Sequence, residues 1–118
     1  VVPVPAIYID YVMPALTDVE WRVLLVVIRQ TIGWVFEEGG SPARKERDWL
    51  SHSQLKARTG KGGDAISRSI DSLVRYGLIV VEREDGRVVT NAQERRRVRH
   101  RLYYRLGQLP YPTGEGEQ

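Results

Sequence analysis

The stretch Thr59–Ile79, TGKGGDAISRSIDSLVRYGLI, decides the fold. Gly60 is a good helix terminator, and Lys61-Gly62-Gly63 reads as a tight turn. Gly62 or Asp64 then caps a helix that runs to Tyr76. Ile66, Ile70 and Leu73 recur at helical spacing and form its core face, with Val74 on the flank. Gly77 follows as the left-handed stop. Just upstream lies SHSQLKARTG, where Ser51 and Gln54 form an S-x-x-Q capping box. The box predicts a short helix over about 52–59. Two short helices are therefore expected around one tight turn.

Working upstream, LTDVEW starts a longer helix. Thr17 and Glu20 make a second capping box, and Leu16 and Trp21 are placed as a hydrophobic staple. The helix is expected to end near Ile32. Trp21, Leu24, Leu25, Ile28 and Ile32 make one apolar stripe, and Val19, Val23, Val26 and Val27 widen it. Its second apolar face needs a cover, either the N-terminal arm or a dimer partner. Residues 1–16, with Pro3, Pro5 and Pro14, read as an extended arm with room for one short turn. GWVFEEGGSPARKERD reads as a loop, and Trp49-Leu50 as a small strand.

Downstream, LIVVERED reads as a strand and Asp85-Gly86 as a two-residue hairpin turn, with Arg87–Thr90 pairing back. NAQERR reads as a loop. From Arg97 the period becomes two. Val98, His100, Leu102, Tyr104 and Leu106 fall on one side, against Arg97, Arg99, Arg101, Tyr103 and Arg105 on the other. Residues 107–118 have the composition of a linker or tail.

This order predicts a mainly α, α+β domain over residues 17–106: a winged helix-turn-helix with a three-helix core and a β-hairpin wing. The 118 residues suffice for one domain with a modest core. The absence of cysteine excludes disulfides and thiolate metal sites. The apolar run Val23–Ile28 is far short of a membrane span, so no membrane partner is expected, and the lack of cysteine fits a reducing, cytoplasmic setting. The net charge of +3 is unevenly placed. Residues 82–105 hold 8 arginines against 4 acids, whereas residues 1–81 hold 10 basic and 9 acidic side chains. Such asymmetry points to a polyanionic partner.

Three pieces carry a resemblance. The first is VPVPAIYIDYVMPALTDVEWRVLLVVIRQTIGW, with RQTIGW closing its helix; DWLSHSQLKARTG and ISRSIDSLVRYGLI follow. Together they resemble the N-terminal domain of the phage replication protein O family and related phage and plasmid replication proteins, over roughly residues 3–80. The resemblance implies a winged-helix domain that binds double-stranded origin DNA and so is nucleoid-associated. It also implies a helicase or helicase loader as partner, contacted through a region outside this chain. Relatives often carry Ser and Arg just before the recognition helix, where this chain has Gly62, Gly63 and Asp64. Ser67 and Arg68 keep the family's polar pair. A winged-helix transcription regulator and a protein-interaction winged helix, self-assembling through the N-terminal arm and first helix, are the alternatives.

The candidate DNA contacts fall in two groups. On the third helix, Ser67 and Arg68 could enter the major groove while Gly62 and Gly63 let backbone N–H groups approach a phosphate. Asp64–Arg68 and Asp71–Arg75 are spaced for i,i+4 pairing, which would instead make a self-neutralised face. In the late segment, Arg95, Arg96, Arg97, Arg99 and Arg101 repel one another, and an anionic partner relieves that repulsion. Lys56, Arg58 and Lys61 flank the turn, and Ser53 and Gln54 open the second helix within reach of phosphate. Trp34, Trp49 and Tyr104 could stack on bases, with core packing as the plainer reading. No catalytic residue, metal site or cofactor is expected. His52 and His100 lack clustered carboxylates, and TGKGG is not a P-loop, because Leu55 stands where the first Gly should and Gly62 follows the Lys.

Overall fold

The computed structural model describes residues 4–31 and 47–108. Ile32, Trp34, the loop over 33–46 and the tail over 109–118 lie outside the described residues. The chain folds as α+β, with helices packed on a small antiparallel sheet.

The first helix, α1 (Asp18–Thr31), begins at the predicted capping box. The Thr17 N–H donates to Glu20 Oε1 at 2.8 Å, and the Glu20 N–H donates to Thr17 Oγ1 at 3.2 Å. Val23, Leu24, Val27 and Ile28 are buried. Helix α2 (His52–Thr59) starts at the second capping box, closed by reciprocal Ser51–Gln54 bonds of 2.9 and 3.0 Å. Gly60 ends it at φ 73°, the left-handed conformation that disfavours any side chain. Helix α3 (Gly63–Arg75) has Gly62 as its N-cap and buries Ile66, Ile70 and Leu73, as their spacing predicts. It ends in a Schellman arrangement: Gly77 stands at φ 76°, and the Leu78 N–H reaches the Leu73 carbonyl at 3.0 Å. Helices α2 and α3 both pack on α1 and share one apolar core with it.

The strands are β1 (Arg47–Trp49), β2 (Ile79–Glu82) and β3 (Tyr103–Leu106), in the order β1-β3-β2. Strand β1 stops one residue before Leu50, whose N–H still reaches the Leu102 carbonyl at 3.2 Å. The register aligns Asp48, Tyr104 and Val81 in one row and Trp49, Tyr103 and Glu82 in the next. Because side chains alternate across the pleat, the first row faces the core and is buried. The second row shares the outer face with Arg47 and Arg105. Glu82 accepts from Arg47 Nη1 at 3.1 Å and from Arg105 Nε at 2.6 Å, so its buried carboxylate has two cationic donors.

Four expectations are corrected. First, the arm over 1–16 is, where it is described, mostly wound into two successive turns and not extended with one short turn. A π-helical turn (Tyr8–Val12) and a 3₁₀ turn (Met13–Ala15) occupy it. The prolines permit this because Pro14 sits at the start of the 3₁₀ turn, where no N–H is needed, and the Pro5 carbonyl accepts the Tyr8 N–H at 3.0 Å. Tyr8 is buried in the core, while Ile9, Tyr11 and Met13 remain exposed. Second, the turn after β2 is not a two-residue loop. The Gly86 N–H bonds to the Arg83 carbonyl at 2.9 Å, and the Arg83 N–H bonds to the Arg87 carbonyl at 2.8 Å, leaving three residues between. Gly86, at φ 90°, takes the left-handed position of that longer form. The return leg is one bridge, Glu82 with Val88, plus the Val89 N–H on the Val81 carbonyl.

Third, NAQERR is not a loop but the start of helix α4 (Ala92–Arg97). Asn91 Oδ1 accepts the Glu94 N–H at 2.9 Å, and Glu94 Oε1 reaches back to the N–H and hydroxyl of Thr90 at 2.8 and 2.9 Å. These bonds satisfy the helix-start donors. Fourth, the two-faced strand does not begin at Arg97. The helix claims Arg95, Arg96 and Arg97, and pairing begins only at Tyr103. The β2–β3 connection is therefore a short turn, a helix and a run over 98–102 that lies outside the strands.

Candidate nucleic-acid interface

Helix α3 turns Asp64, Arg68 and Arg75 to solvent, while Ser67, Asp71 and Ser72 are half-buried. The expected Asp64–Arg68 and Asp71–Arg75 pairs do not form. Asp71 is taken by Arg95, whose Nη1 stands 2.7 Å from Asp71 Oδ1. Arg75 donates instead to Ser72 Oγ at 3.3 Å. Arg68 is left exposed, with no ion pair among the described residues. The face that the spacing would self-neutralise thus keeps free positive charge.

Arg95 differs from the other arginines of its run. Its side chain is only 7% exposed. Nη2 donates to both the carbonyl and the hydroxyl oxygens of Ser67 at 3.1 Å. It therefore clamps α4 onto one flank of α3 and is not available to phosphate. The clamp fixes where the neighbouring arginines stand. Arg96, Arg97 and Arg99 are exposed and have no ion pair among the described residues. Arg97 also acts on Glu94, whose carboxyl is held below its ordinary range first by the Thr90 backbone and hydroxyl bonds and then by the Arg97 charge.

Arg101 lies flat over the Trp49 ring, 4.2 Å from its centroid, and Arg47 over Tyr103 at 4.4 Å. Arg47 also donates to the Arg83 and Glu84 carbonyls at 3.1 Å each, which pins the β2 turn to β1. Burial pushes the Tyr104 phenol up to about 12, opposed by the Arg95 charge.

The remaining sequence candidates are divided. Ser53 and Lys56 are exposed on α2. Gln54 is committed to its own helix cap. Lys61 pairs with Asp18 at 3.0 Å, which holds that carboxyl below its ordinary range, chiefly through this bond. Arg58 donates to Gln30 Oε1 at 2.6 Å, and Gln30 donates on to the buried Asp48. Gly62 is open: a Cβ there would meet nothing within 4 Å. At Gly63 a Cβ would come within 3.2 Å of His52 Nε2. Backbone approach is therefore freest at Gly62.

Two hollows flank the run from Arg97 to His100. One, of about 880 Å³, lies between the starts of α2 and α3 and the segment 92–104. The other, of about 770 Å³, lies against the β2 turn and includes Arg83, Arg87 and Arg97. Arg99 and His100 border both, so this run forms a basic ridge. The sequence reading missed the Arg95–Asp71 clamp and the Trp49–Arg101 stack, because no local motif joins residues so far apart. Among the described residues there is no cluster of metal-binding side chains, and no helix is long and apolar enough to cross a membrane. Comparison with family models, curated proteins and solved structures returns no match.

Proposed function

We propose that this domain is a winged helix-turn-helix that binds double-stranded DNA, within a replication initiator of phage or plasmid type. One observation carries the reading: Arg68 on α3 and Arg96, Arg97 and Arg99 on the β2–β3 connection are all exposed and unpaired among the described residues, and the Arg95 clamp holds the two elements together. The element order and the sheet order β1-β3-β2 support the winged form, with α3 as the reading helix and the β2–β3 connection as the wing. Arg68 supplies a donor pair suited to guanine, a contact worth about 1–3 kcal/mol. The wing arginines supply phosphate contacts, which position the protein without reading sequence.

The replication role rests on the resemblance of RQTIGW and DWLSHSQL to phage replication protein O. A helicase or its loader is the partner that role requires. Selection of bound duplexes from a random pool tests the proposal. Enrichment of direct repeats supports an origin binder, a lone palindrome supports a transcription regulator, and no enrichment removes sequence-specific binding.

A further inference from the structure

We propose that the hollow between the starts of α2 and α3 and the segment 92–104 receives an unstacked base of a single DNA strand. The inference rests on the nucleic-acid reading above and names a second form of the ligand at the same face. Three observations carry it. The hollow measures about 880 Å³, a size that accommodates a compact organic group. Its floor is apolar, with Leu50 and Tyr104 buried and Leu102 half-buried. Half-buried Trp49 and exposed Arg101 are both in its lining, the Arg101 guanidinium stacked on the Trp49 ring at 4.2 Å.

The rim differs in character. Arg96 and Arg99 border the hollow and have no ion pair among the described residues. The exposed carboxylates of Asp64 and Glu84 also border the hollow, so its cationic side is the one held by Arg96 and Arg99. An apolar floor beside that pair complements a nucleotide, which joins a flat ring with an apolar face to an anion. A duplex does not satisfy both parts. Its bases are stacked inside and its phosphates lie outside, so it meets the rim alone. A base released from its stack reaches the floor and adds to the Trp49–Arg101 stack, as sequence-tolerant strand binders do with aromatic and arginine planes. Asp64 on the wall sets the orientation. Its carboxylate repels phosphate and accepts a hydrogen bond from a base N–H, the ring N3–H of thymine or an exocyclic amine, so the base faces inward and the phosphates face Arg96 and Arg99.

Fluorescence anisotropy of the whole chain tests this with three labelled ligands: an oligothymidine of about twelve nucleotides, an abasic strand of equal length and charge, and a duplex. The expected result is oligothymidine binding at least about tenfold tighter than the abasic strand. Trp49→Leu should abolish that preference while leaving abasic binding in place, and Trp49→Phe should retain most of it. Equal affinity for oligothymidine and the abasic strand overturns the inference, and needs no variant to be read. If the duplex still binds in that case, the interface reading stands and only the base pocket is lost. If neither strand nor duplex binds, both readings fall.

Discussion

The Arg95 guanidinium meets the Asp71 carboxylate at 2.7 Å across the α3–α4 boundary, with the Ser67 carbonyl and hydroxyl oxygens accepting from its other nitrogen. This fork explains why a six-residue helix, too short to persist alone, holds its place. It also removes Asp71 from the exposed charge of α3. Arg95→Ala should destabilise the domain by about 2 kcal/mol, because it leaves a half-buried carboxylate without its cation. Arg95→Lys should recover only part of this, since an ammonium does not reproduce the planar fork. Urea denaturation of the two variants, with Asp71→Ala and the double mutant completing a cycle, reads the coupling directly.

The Tyr104 phenol predicts an alkaline limit on stability. Its folded pKa of about 12 lies above the ordinary value of 10, so the unfolded chain releases this proton first. Stability from this group is fully present below pH 10 and is lost as pH rises toward 12, by about 2–3 kcal/mol in total. Tyr104→Phe should remove that part of the pH dependence. Denaturation midpoints between pH 9 and 12 check it, as does late titration of one tyrosine by ultraviolet absorbance.

Two glycines should respond in opposite ways. A Cβ on Gly107 would stand 1.8 Å from the Gly77 carbonyl oxygen, in backbone that is held by the Gly107 N–H bond to Leu78. Gly107→Ala should therefore cost about 2 kcal/mol or more, by forcing β3 away from the end of α3. Gly62→Ala should change stability by less than about 1 kcal/mol, since its Cβ meets nothing and its φ is −76°. If a phosphate approaches Gly62, the same substitution should weaken duplex binding. Thermal melts and anisotropy on both variants separate these effects.

Asn91→Ala should cost about 1 kcal/mol by stripping the α4 cap. Because α4 carries Arg96 and Arg97, duplex affinity should fall as well, although Asn91 itself bears no charge. Amide hydrogen exchange over 92–97 should accelerate in this variant.

Much of the fold is legible in the sequence. Both capping boxes, the stops at Gly60 and Gly77, and the core face of Ile66, Ile70 and Leu73 are local signals, and local signals fix local structure. The strand pairing after β2 is not local, and there alternation misleads. Arg97 to Leu106 alternates well, but Arg97 belongs to a helix whose cap, Asn91 with Glu94, is itself a readable signal that the polar composition hides. The candidate site follows the same rule. The abundance of arginine marks the right segment, but only tertiary structure tells Arg95, turned inward to Asp71, from Arg96, Arg97 and Arg99, left in solvent.

The most direct test of the central claim is the salt dependence of duplex binding by the wild-type chain and by Arg96→Ala/Arg97→Ala/Arg99→Ala. Each phosphate contact contributes about −0.9 to the slope of log K against log salt concentration. The account predicts that the triple variant binds more weakly and that its slope is shallower by about 2.7. Unchanged affinity and slope in a variant that remains folded would contradict it.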